Sequence, residues 1–460
     1  MPRTDADRSS ALQLLPSVDQ ILRIEALQPL PRAVLTRAAR GFVDELRAGV
    51  LGGAMDVDAM RARCRPEALV AELDARCRAL TARRHQRVYN ATGIVLHTGI
   101  GRAPLAPAAV EALAGAAGYA IVEVDPVSGV RDQRELAVAS LLCGLTGAQG
   151  ALVVNNNAAA TTLMLAALTA GREVVVSRGE LVEIGGGFRV PDVMRRAGCT
   201  LVEVGATNKT HLYDFREATT DAAVAYLKVH PSNFRIEGFA GTPSIAELAE
   251  LAAERGLLVL DDLGSGLLLD APLPGLEAEP KVTDSLRQGA HVTCFSGDKL
   301  LGGPQCGILL GRADLVARCR ANPLYRALRC DKLTLAALEA TLLSYRDGDP
   351  LREIPTLCML AATPAELAHR AGELATRLAS LGAAVVPSDS FAGSGANPAR
   401  PLPSHAVALS GGQDECDRLR HAEPIAVFAR VADGRVLLDA RTLLLEDLDA
   451  VAAAVRSALA

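Results

Sequence analysis

A single lysine, Lys299, stands in the glycine-rich stretch FSGDKLLGGPQCG, residues 295–307. The chain has only five lysines among its 48 basic residues, and all the others are arginines. Arginine stays protonated, whereas the amine of a lysine can lose its proton and form a Schiff base with a carbonyl compound. The position therefore predicts a lysine used in covalent catalysis, with a surface lysine in a turn as the structural alternative.

Two adjacent acids, Asp261 and Asp262, end the apolar stretch GLLVLDD. A carboxylate at the end of a buried strand is costly unless it has a partner, and a protonated pyridine nitrogen is such a partner. Pyridoxal phosphate needs this acid because a protonated ring is the better electron sink. Lys299 follows Asp262 after one more predicted strand, which is the layout of a fold type I pyridoxal-phosphate enzyme. We assign the role to Asp262, although Asp261 remains open, and an acid that caps a helix or turn is the structural alternative.

The phosphate of that cofactor needs hydrogen-bond donors, which the backbone N–H groups at a helix N-terminus supply well. In ALVVNNNAAATTLMLAAL (151–168) a predicted strand ends, three asparagines turn, and small residues open a helix. The predicted phosphate-binding residues are Asn156, Asn157 and Ala158, with the hydroxyl of Ser296 as a further donor. An asparagine triplet is also an ordinary turn, so this part of the site is the least specific.

Short apolar runs alternate with helical patterns between about residues 90 and 330. This alternation predicts a mostly parallel, doubly wound α/β sheet, whose site lies at the carboxyl ends of the strands. The predicted strands are ALVV (151–154), EVVVS (173–177), TLVEV (200–204), AAVAYLKV (222–229), GLLVLDD (256–262) and HVTCFS (291–296).

A chain of 460 residues is expected to form more than one domain. Apolar spacing and composition predict a helical N-terminal domain (1–88), the α/β domain that binds pyridoxal phosphate (89–345) and a smaller α+β C-terminal domain (346–460). TARRHQRV (81–88) is the predicted connection between the first two domains. Within the third, we predict a hairpin at Ala432-Asp433-Gly434 and, from composition, a loop over residues 388–403.

The overall net charge of −5 does not by itself suggest a protein that binds polyanions, but residues 1–88 hold fifteen arginines and eleven acids. This basic helical region predicts either contacts with nucleic acid phosphates or a solvated arginine-rich surface. The ten cysteines have no CxxC spacing, which argues against a zinc or dithiol site and fits a reducing cytoplasm. No apolar run of membrane-spanning length occurs, so we expect a cytoplasmic protein without metal or membrane partner.

Seven longer stretches together strongly resemble the bacterial selenocysteine synthases, which are L-seryl-tRNA(Sec) selenium transferases. They are RVYNATGIVLHTGIGRAPL (87–105), SRGELVEIGGGFRVPDVMRRAG (177–198), EVGATNKTHLYDF (203–215), LKVHPSNFRIEGF (227–239), LDDLGSG (260–266), SGDKLLGGPQCG (296–307) and NPLYRALRCDKLTLAALEATL (322–342). The resemblance covers nearly the whole chain, more loosely over residues 1–80 and 360–420. Gly99-Ile100 and Cys306 depart from the usual Asn-Leu and Ala of the family, which puts only local loop shape in doubt.

The resemblance implies that L-seryl-tRNA(Sec) becomes L-selenocysteinyl-tRNA(Sec), with selenophosphate as donor and a cofactor-bound aminoacrylate on the way. Lys299 would hold the cofactor and move the Cα proton. Planar guanidinium groups suit a compact oxyanion such as selenophosphate. The candidates are Arg102, Arg326 and Arg329, the last two on one face if their segment is helical, and structural ion pairs are the alternative. Asp298 is expected to orient an arginine or assist the leaving hydroxyl, unless it only caps the turn.

His230, at a predicted strand end in KVHPSN, is a candidate for stacking on or bonding to the cofactor, although a lone histidine is more often structural. The resemblance also implies that residues 1–88 bind the tRNA and that the chain forms a homo-oligomer, at least a dimer and in the family a ring of dimers. Two other functions remain open. One is a fold type I lyase, desulfurase or aldolase acting on a free amino acid, and the other is a non-catalytic RNA-binding protein that kept the fold.

Overall fold

The computed structural model of the chain describes residues 5–81, 83–234, 236, 238–271, 273–393 and 400–460. By the contacts among its Cα atoms, the chain divides into two compact units, Met1–Arg87 and Val88–Ala460. In the part that the structure describes, no helix combines the length and apolar character needed to cross a lipid bilayer.

The first unit is helical, as predicted. Its helices are α1 (Asp5–Gln13), α2 (Val18–Ile21), α3 (Arg32–Leu51), α4 (Val57–Arg63) and α5 (Pro66–Thr81), with a 3-10 turn at Glu25–Leu27. The longest helix, α3, buries Phe42 and Leu46, one turn apart, against the other helices. The guanidinium groups of Arg63 and Arg76 lie 5.3 and 5.4 Å from the centre of the Phe42 ring, so these two arginines belong to the packing of the unit. The predicted connection 81–88 includes Ala82, which lies outside the described residues.

The second unit mixes helices and strands. Its helices are α6 (Pro107–Ala116), α7 (Leu136–Thr146), α8 (Asn157–Leu168), α9 (Val190–Arg196), α10 (Leu212–Ala218), α11 (Ile245–Arg255), α12 (Val282–Arg287), α13 (Ala313–Ala321), α14 (Pro323–Leu328), α15 (Lys332–Asp347), α16 (Pro350–Glu353), α17 (Pro355–Ala361), α18 (Pro364–Arg377), α19 (Gln413–Arg420) and α20 (Leu448–Leu459). Its strands are β1 (Val88–Asn90), β2 (Ile94–Leu96), β3 (Gly150–Val154), β4 (Glu173–Ser177), β5 (Glu183–Ile184), β6 (Phe188–Arg189), β7 (Thr200–Val204), β8 (Ala223–Val229), β9 (Leu258–Gly264), β10 (Val292–Ser296), β11 (Gly307–Gly311), β12 (Ala384–Gly393), β13 (Pro401–Ser410), β14 (Ala426–Phe428), β15 (Arg430–Ala432) and β16 (Arg435–Asp439).

The larger sheet has the strand order β3-β11-β10-β9-β8-β4-β7. All six strands predicted from residues 151–296 are present, and β8, β9 and β10 pair in parallel as expected. The sequence did not predict β11, which returns from the Lys299 turn and pairs antiparallel with both β10 and β3. Because β8, β9 and β10 are parallel, their carboxyl ends meet at one edge of the sheet, and the residues that follow them are brought together there.

The smaller sheet has the order β15-β16-β13-β12-β2, and β1 pairs separately with β14. Strands β1 and β2 therefore pair with C-terminal strands, although most of residues 88–96 falls in the range predicted for the α/β domain. The division into three domains stays a prediction. The predicted hairpin is present between β15 and β16, where Asp433 (φ 50°) and Gly434 (φ 68°) adopt the left-handed turn conformation.

The prediction of a loop over residues 388–403 is wrong at both ends, because β12 extends to Gly393 and β13 begins at Pro401. The serines in this stretch suggested a loop by composition. In the fold, the hydroxyls of Ser388, Ser390 and Ser404 each donate a 2.8 Å hydrogen bond to the buried carboxylate of Asp439. This shared acceptor holds the serines in regular strands. Residues 394–399 lie outside the described part.

Candidate active site

Lys299 lies in the turn that follows β10 and is only 7% exposed. The backbone hydrogen bonds that hold the turn include those from the N–H of Leu300 to the carbonyl of Ser265 (3.0 Å) and from the N–H of Gly297 to the carbonyl of Cys306 (2.9 Å). Burial lowers the pKa of Lys299, and the negative charge of Asp262 opposes that shift. The amine therefore releases its proton more readily than a surface lysine does.

Asp262 is the acid that faces the side of the sheet with α8, and it is 3% exposed. One carboxylate oxygen accepts from the side-chain amide of Asn157 (2.8 Å), and the other accepts from the hydroxyl of Thr161 (2.9 Å). The thiol of Cys294 is 3.7 Å from the first oxygen. Burial raises the pKa of Asp262, while the hydrogen bonds from Asn157 and Thr161 lower it. The donors thus hold a buried carboxylate in a fixed orientation.

Asp261 points to the opposite face of β9, because successive strand residues alternate. Its carboxylate accepts hydrogen bonds from the hydroxyls of Ser285 (2.5 Å) and Thr293 (3.1 Å), and burial raises the pKa of Asp261 to about 6. Of the two acids that the sequence left open, Asp262 is therefore the one whose charge acts on the Lys299 amine.

The N-terminus of α8 lies at the same edge of the sheet. The side chain of Asn156 caps the helix by accepting from the N–H of Ala159 (2.8 Å). In the described part of the chain, no acceptor is found for the N–H groups of Asn157 and Ala158, which point out of the first turn. Unbonded N–H groups at a helix start suit an anion, and phosphate binding by these residues stays a prediction. The Asn157 side chain is engaged with Asp262.

Gly307, at the start of β11, packs directly against this helix start. A Cβ atom at this position would lie 2.1 Å from the carbonyl oxygen of Asn156. We expect Gly307→Ala to lower the melting temperature by several degrees and to weaken anion binding, because backbone must move to make room. Gly372→Ala is the matched control, since Gly372 lies within α18 with open space around its Cβ position. It should leave stability unchanged or raise it, and an equal loss in both variants would contradict the prediction.

Asp298 joins two other predicted residues. One of its oxygens accepts from the guanidinium of Arg102 (2.7 Å), and the other accepts from the hydroxyl of Ser296 (2.6 Å). Arg102 has φ 60°, a left-handed conformation that is uncommon outside glycine and is often found at functional sites. Asp298 is therefore placed to orient an arginine, as one prediction had it. The Ser296 hydroxyl is engaged with Asp298 in this arrangement.

Arg326 and Arg329 do not share a helical face, because α14 ends at Leu328 and Arg329 is extended. The N–H of Asn155 donates to the carbonyl of Leu328 (2.8 Å), and Arg329 forms a bridge with the last residue of β3. These contacts end the helix and bring Arg329 beside the asparagine turn. Its guanidinium is 3.6 Å from the carboxylate of Glu123. Arg326 is exposed on α14, and no ion pair to it occurs within the described ranges.

His230 follows β8, and its backbone N–H donates to the carbonyl of Asp262 (3.0 Å). Its Nε2 atom is 3.4 Å from the carboxylate of Glu279, a residue that the sequence analysis missed. No local pattern in the sequence indicates Glu279. Thr161 was also missed, but it lies four residues after Asn157 on the predicted helix. A spacing of four residues puts both side chains on one helical face, so the sequence could have predicted that Thr161 lies beside Asn157.

A cavity of about 640 Å³ opens at the same edge, towards the face of Asp261. Its lining includes Lys228, His230, Phe234 and Glu279. Among the residues that the structure describes, no group of three or more His, Cys, Asp or Glu side chains is arranged to hold a metal ion.

Comparison with known proteins identifies the family. The family model described as L-seryl-tRNA selenium transferase matches residues 88–444, and that described as selenocysteine synthase N terminal matches residues 12–47. The chain is 47% identical to the L-seryl-tRNA(Sec) selenium transferase of Solidesulfovibrio magneticus, over 97% of this chain and 98% of that protein. It is 46% identical to the enzyme of the same name from Moorella thermoacetica, over 97% of each chain.

The fold is also found among solved structures. D-glucosaminate-6-phosphate ammonia-lyase superposes with a TM-score of 0.58 at 22% identity, over 82% of this chain and 98% of that one. The predicted α/β fold of type I is thereby confirmed. With matches over nearly its whole length, the chain belongs to the L-seryl-tRNA selenium transferase family.

Proposed function

We propose that the chain converts L-seryl-tRNA(Sec) to L-selenocysteinyl-tRNA(Sec), with pyridoxal phosphate as cofactor and selenophosphate as selenium donor. The observation that carries the proposal is that a buried lysine amine, Lys299, and a buried carboxylate, Asp262, lie within electrostatic range at one sheet edge in a member of this family. The direct test is selenium transfer by the purified protein with tRNA-bound serine and, separately, with free serine.

The residues present fit pyridoxal phosphate. Asp262 is a buried carboxylate whose side-chain hydrogen bonds come from the neutral donors Asn157 and Thr161, so its charge suits a pyridinium nitrogen. The N–H groups of Asn157 and Ala158 suit the phosphate, and Asn156 fixes the helix start. The backbone N–H of His230 donates a hydrogen bond to the carbonyl of Asp262, which places His230 next to this acid in the fold. When bound, the cofactor supplies an electron sink for charge that develops at Cα of the substrate.

The protein groups then have separate tasks. Lys299 would hold the cofactor, and its Nζ, when free, would take the Cα proton and later return it. Between these two proton transfers the hydroxyl leaves Cβ as water and the selenium of selenophosphate bonds to Cβ. The Se–P bond is then broken by water, and phosphate is released. Arg102, oriented by Asp298, binds the oxyanion of the selenium donor, and Arg326 and Arg329 complete the cationic set. The hydroxyl of Ser296 donates a hydrogen bond to the second oxygen of Asp298 and so fixes the orientation of the Arg102–Asp298 ion pair.

The helical first unit is proposed to bind the tRNA body, which places the reaction in the cytoplasm. Arg37 and Arg40 on α3 are exposed, and neither forms an ion pair within the described ranges. Replacing both by glutamine should weaken tRNA binding by roughly 10-fold and reduce the slope of log affinity against log salt by roughly 1.5, because two phosphate contacts are lost. Arg47→Gln on the same helix is the control, since Arg47 is paired with Asp44 at 3.1 Å. An unchanged salt slope in the double variant would contradict this assignment.

A homo-oligomer, at least a dimer, is part of the proposal. The segment between α6 and α7 exposes large apolar side chains, including Tyr119, Ile121 and Val127. Such a patch supports association with another protein surface, and a second copy is the simplest partner. Sedimentation or light scattering of the purified protein tests it, and a monomer at micromolar concentration would count against it.

A further inference from the structure

Glu279 is a buried acid that the mechanism above does not use. Its side chain is 2% exposed, and one carboxylate oxygen has no hydrogen-bond partner in the described part of the chain. That same oxygen lies 3.4 Å from the Nε2 atom of His230, at ion-pair distance but without the geometry of a hydrogen bond. Because a carboxylate removed from water is costly without a partner, this pair needs an explanation.

The pair lies within electrostatic range of the reacting lysine, because the negative charge of Glu279 opposes the lowering of the pKa of Lys299. The peptide of His230 is bonded to that of Asp262, and Ser232, two residues on, donates its N–H to the carbonyl of His230 (2.8 Å). The Oγ of Ser232 and the Nζ of Lys299 each lie 3.9 Å from the point where a Cβ of Gly264 would stand. His230 also lines the 640 Å³ cavity, and its side chain is 25% exposed, so solvent can reach the imidazole.

The proposed reaction needs a proton donor, because hydroxide is a poor leaving group. Asp298 is unsuited, since its two oxygens already accept hydrogen bonds from Arg102 and Ser296. Both oxygens of Asp262 are engaged in the same way by side-chain donors. An arginine does not give up its proton. Histidine is the side chain best suited to donate a proton near neutral pH.

We propose that His230 donates the proton with which the seryl hydroxyl leaves as water, and that Glu279 is the positioning residue that holds its imidazole. This inference rests on the proposed function. Lys299 takes the Cα proton, and the electron pair of that bond forms the Cα–Cβ double bond. The Cβ–O bond breaks with its pair going to oxygen, and the proton from His230 completes the water molecule. His230 is then reprotonated from solvent through the cavity.

The test changes the leaving group. Chloride leaves without a proton, so tRNA(Sec) charged with β-chloroalanine bypasses the proton donor. We expect His230→Gln to lower kcat with seryl-tRNA by about 10²- to 10⁴-fold, and to leave kcat with β-chloroalanyl-tRNA within about threefold of the wild type. Glu279→Gln should lower kcat on serine by about 10-fold and not on β-chloroalanine, because only the orientation of the imidazole is lost.

His421→Gln is the matched control, since His421 is exposed at the end of α19. Equal losses on both substrates, or full activity of His230→Gln on serine, would overturn the inference. If His230→Gln does not fold, His230→Asn and Glu279→Gln carry the same comparison, with melting temperature and cofactor affinity as checks. Failure of the proposed function is distinguishable, because the wild type would then make no selenocysteine from either substrate.

Discussion

Replacing Lys299 by alanine is expected to reduce selenium transfer by about 10⁴-fold or more, because one group holds the cofactor and moves the Cα proton. The side chain follows β10 and is buried within electrostatic range of Asp262. Among the described residues no other lysine is buried. The variant should also lose the visible absorption band of a lysine-linked cofactor. Transfer assays and absorption spectra of the same preparation measure both effects.

Two control variants distinguish the loss of the reactive amine from the loss of a positive charge. Lys299→Arg keeps a cation but cannot form the imine, so it should be nearly as inactive as the alanine variant. Lys281→Ala removes a lysine that is paired with Asp270 at 3.5 Å, and it should transfer selenium at the wild-type rate. A Lys299→Ala protein that retains the absorption band would show that another amine holds the cofactor.

The second large effect is expected at Asp262. Asp262→Asn keeps the shape of the side chain but removes the negative charge that stabilises a protonated pyridine nitrogen. We expect kcat to fall by about 10³-fold, which corresponds to about 4 kcal/mol of transition-state stabilisation. The new side chain keeps one acceptor oxygen, so one of the hydrogen bonds from Asn157 and Thr161 must also rearrange, because the amide nitrogen cannot accept it. Cofactor affinity and kcat at saturating cofactor should be measured separately.

The neighbouring acid provides a matched control. Asp261 is equally buried, but it faces Ser285 and Thr293 on the other side of the sheet. Asp261→Asn should therefore alter stability and change kcat by less than about 10-fold, since it leaves the electrostatics of the cofactor ring in place. The assignment fails if Asp261→Asn loses more activity than Asp262→Asn at saturating cofactor.

The sequence predicted the parts of this site that depend on local pattern. Alternating apolar runs and helices located β8, β9 and β10, and parallel pairing then requires Asp262 and Lys299 to meet at one edge. The asparagine turn before α8 was predicted for the same reason, since a strand followed by small residues is a local signal. The strand positions and the turns that follow them are therefore expected in any fold that places these consecutive strands side by side.

Other parts depend on contacts between distant segments. The ion pair of Arg102 with Asp298 joins residues 196 positions apart, and no local pattern predicts it. Arg329 leaves the helical face of Arg326 because Asn155 binds the carbonyl of Leu328, which ends α14 early. Glu279 meets His230 only after β8 and the segment before α12 are packed together. Strand β11 was missed because its short apolar sequence, GILLG, begins and ends with glycine and follows directly on the glycine-rich turn.

An assay of selenium transfer decides whether the protein makes selenocysteine on its tRNA. Purified protein is mixed with pyridoxal phosphate, selenophosphate and either seryl-tRNA(Sec) or free serine, and the amino acid released from the tRNA is analysed after hydrolysis. We expect selenocysteine from tRNA-bound serine and none from free serine. Turnover of free serine or cysteine, with no selenocysteine on the tRNA, would contradict it and identify a lyase or desulfurase built on the same fold.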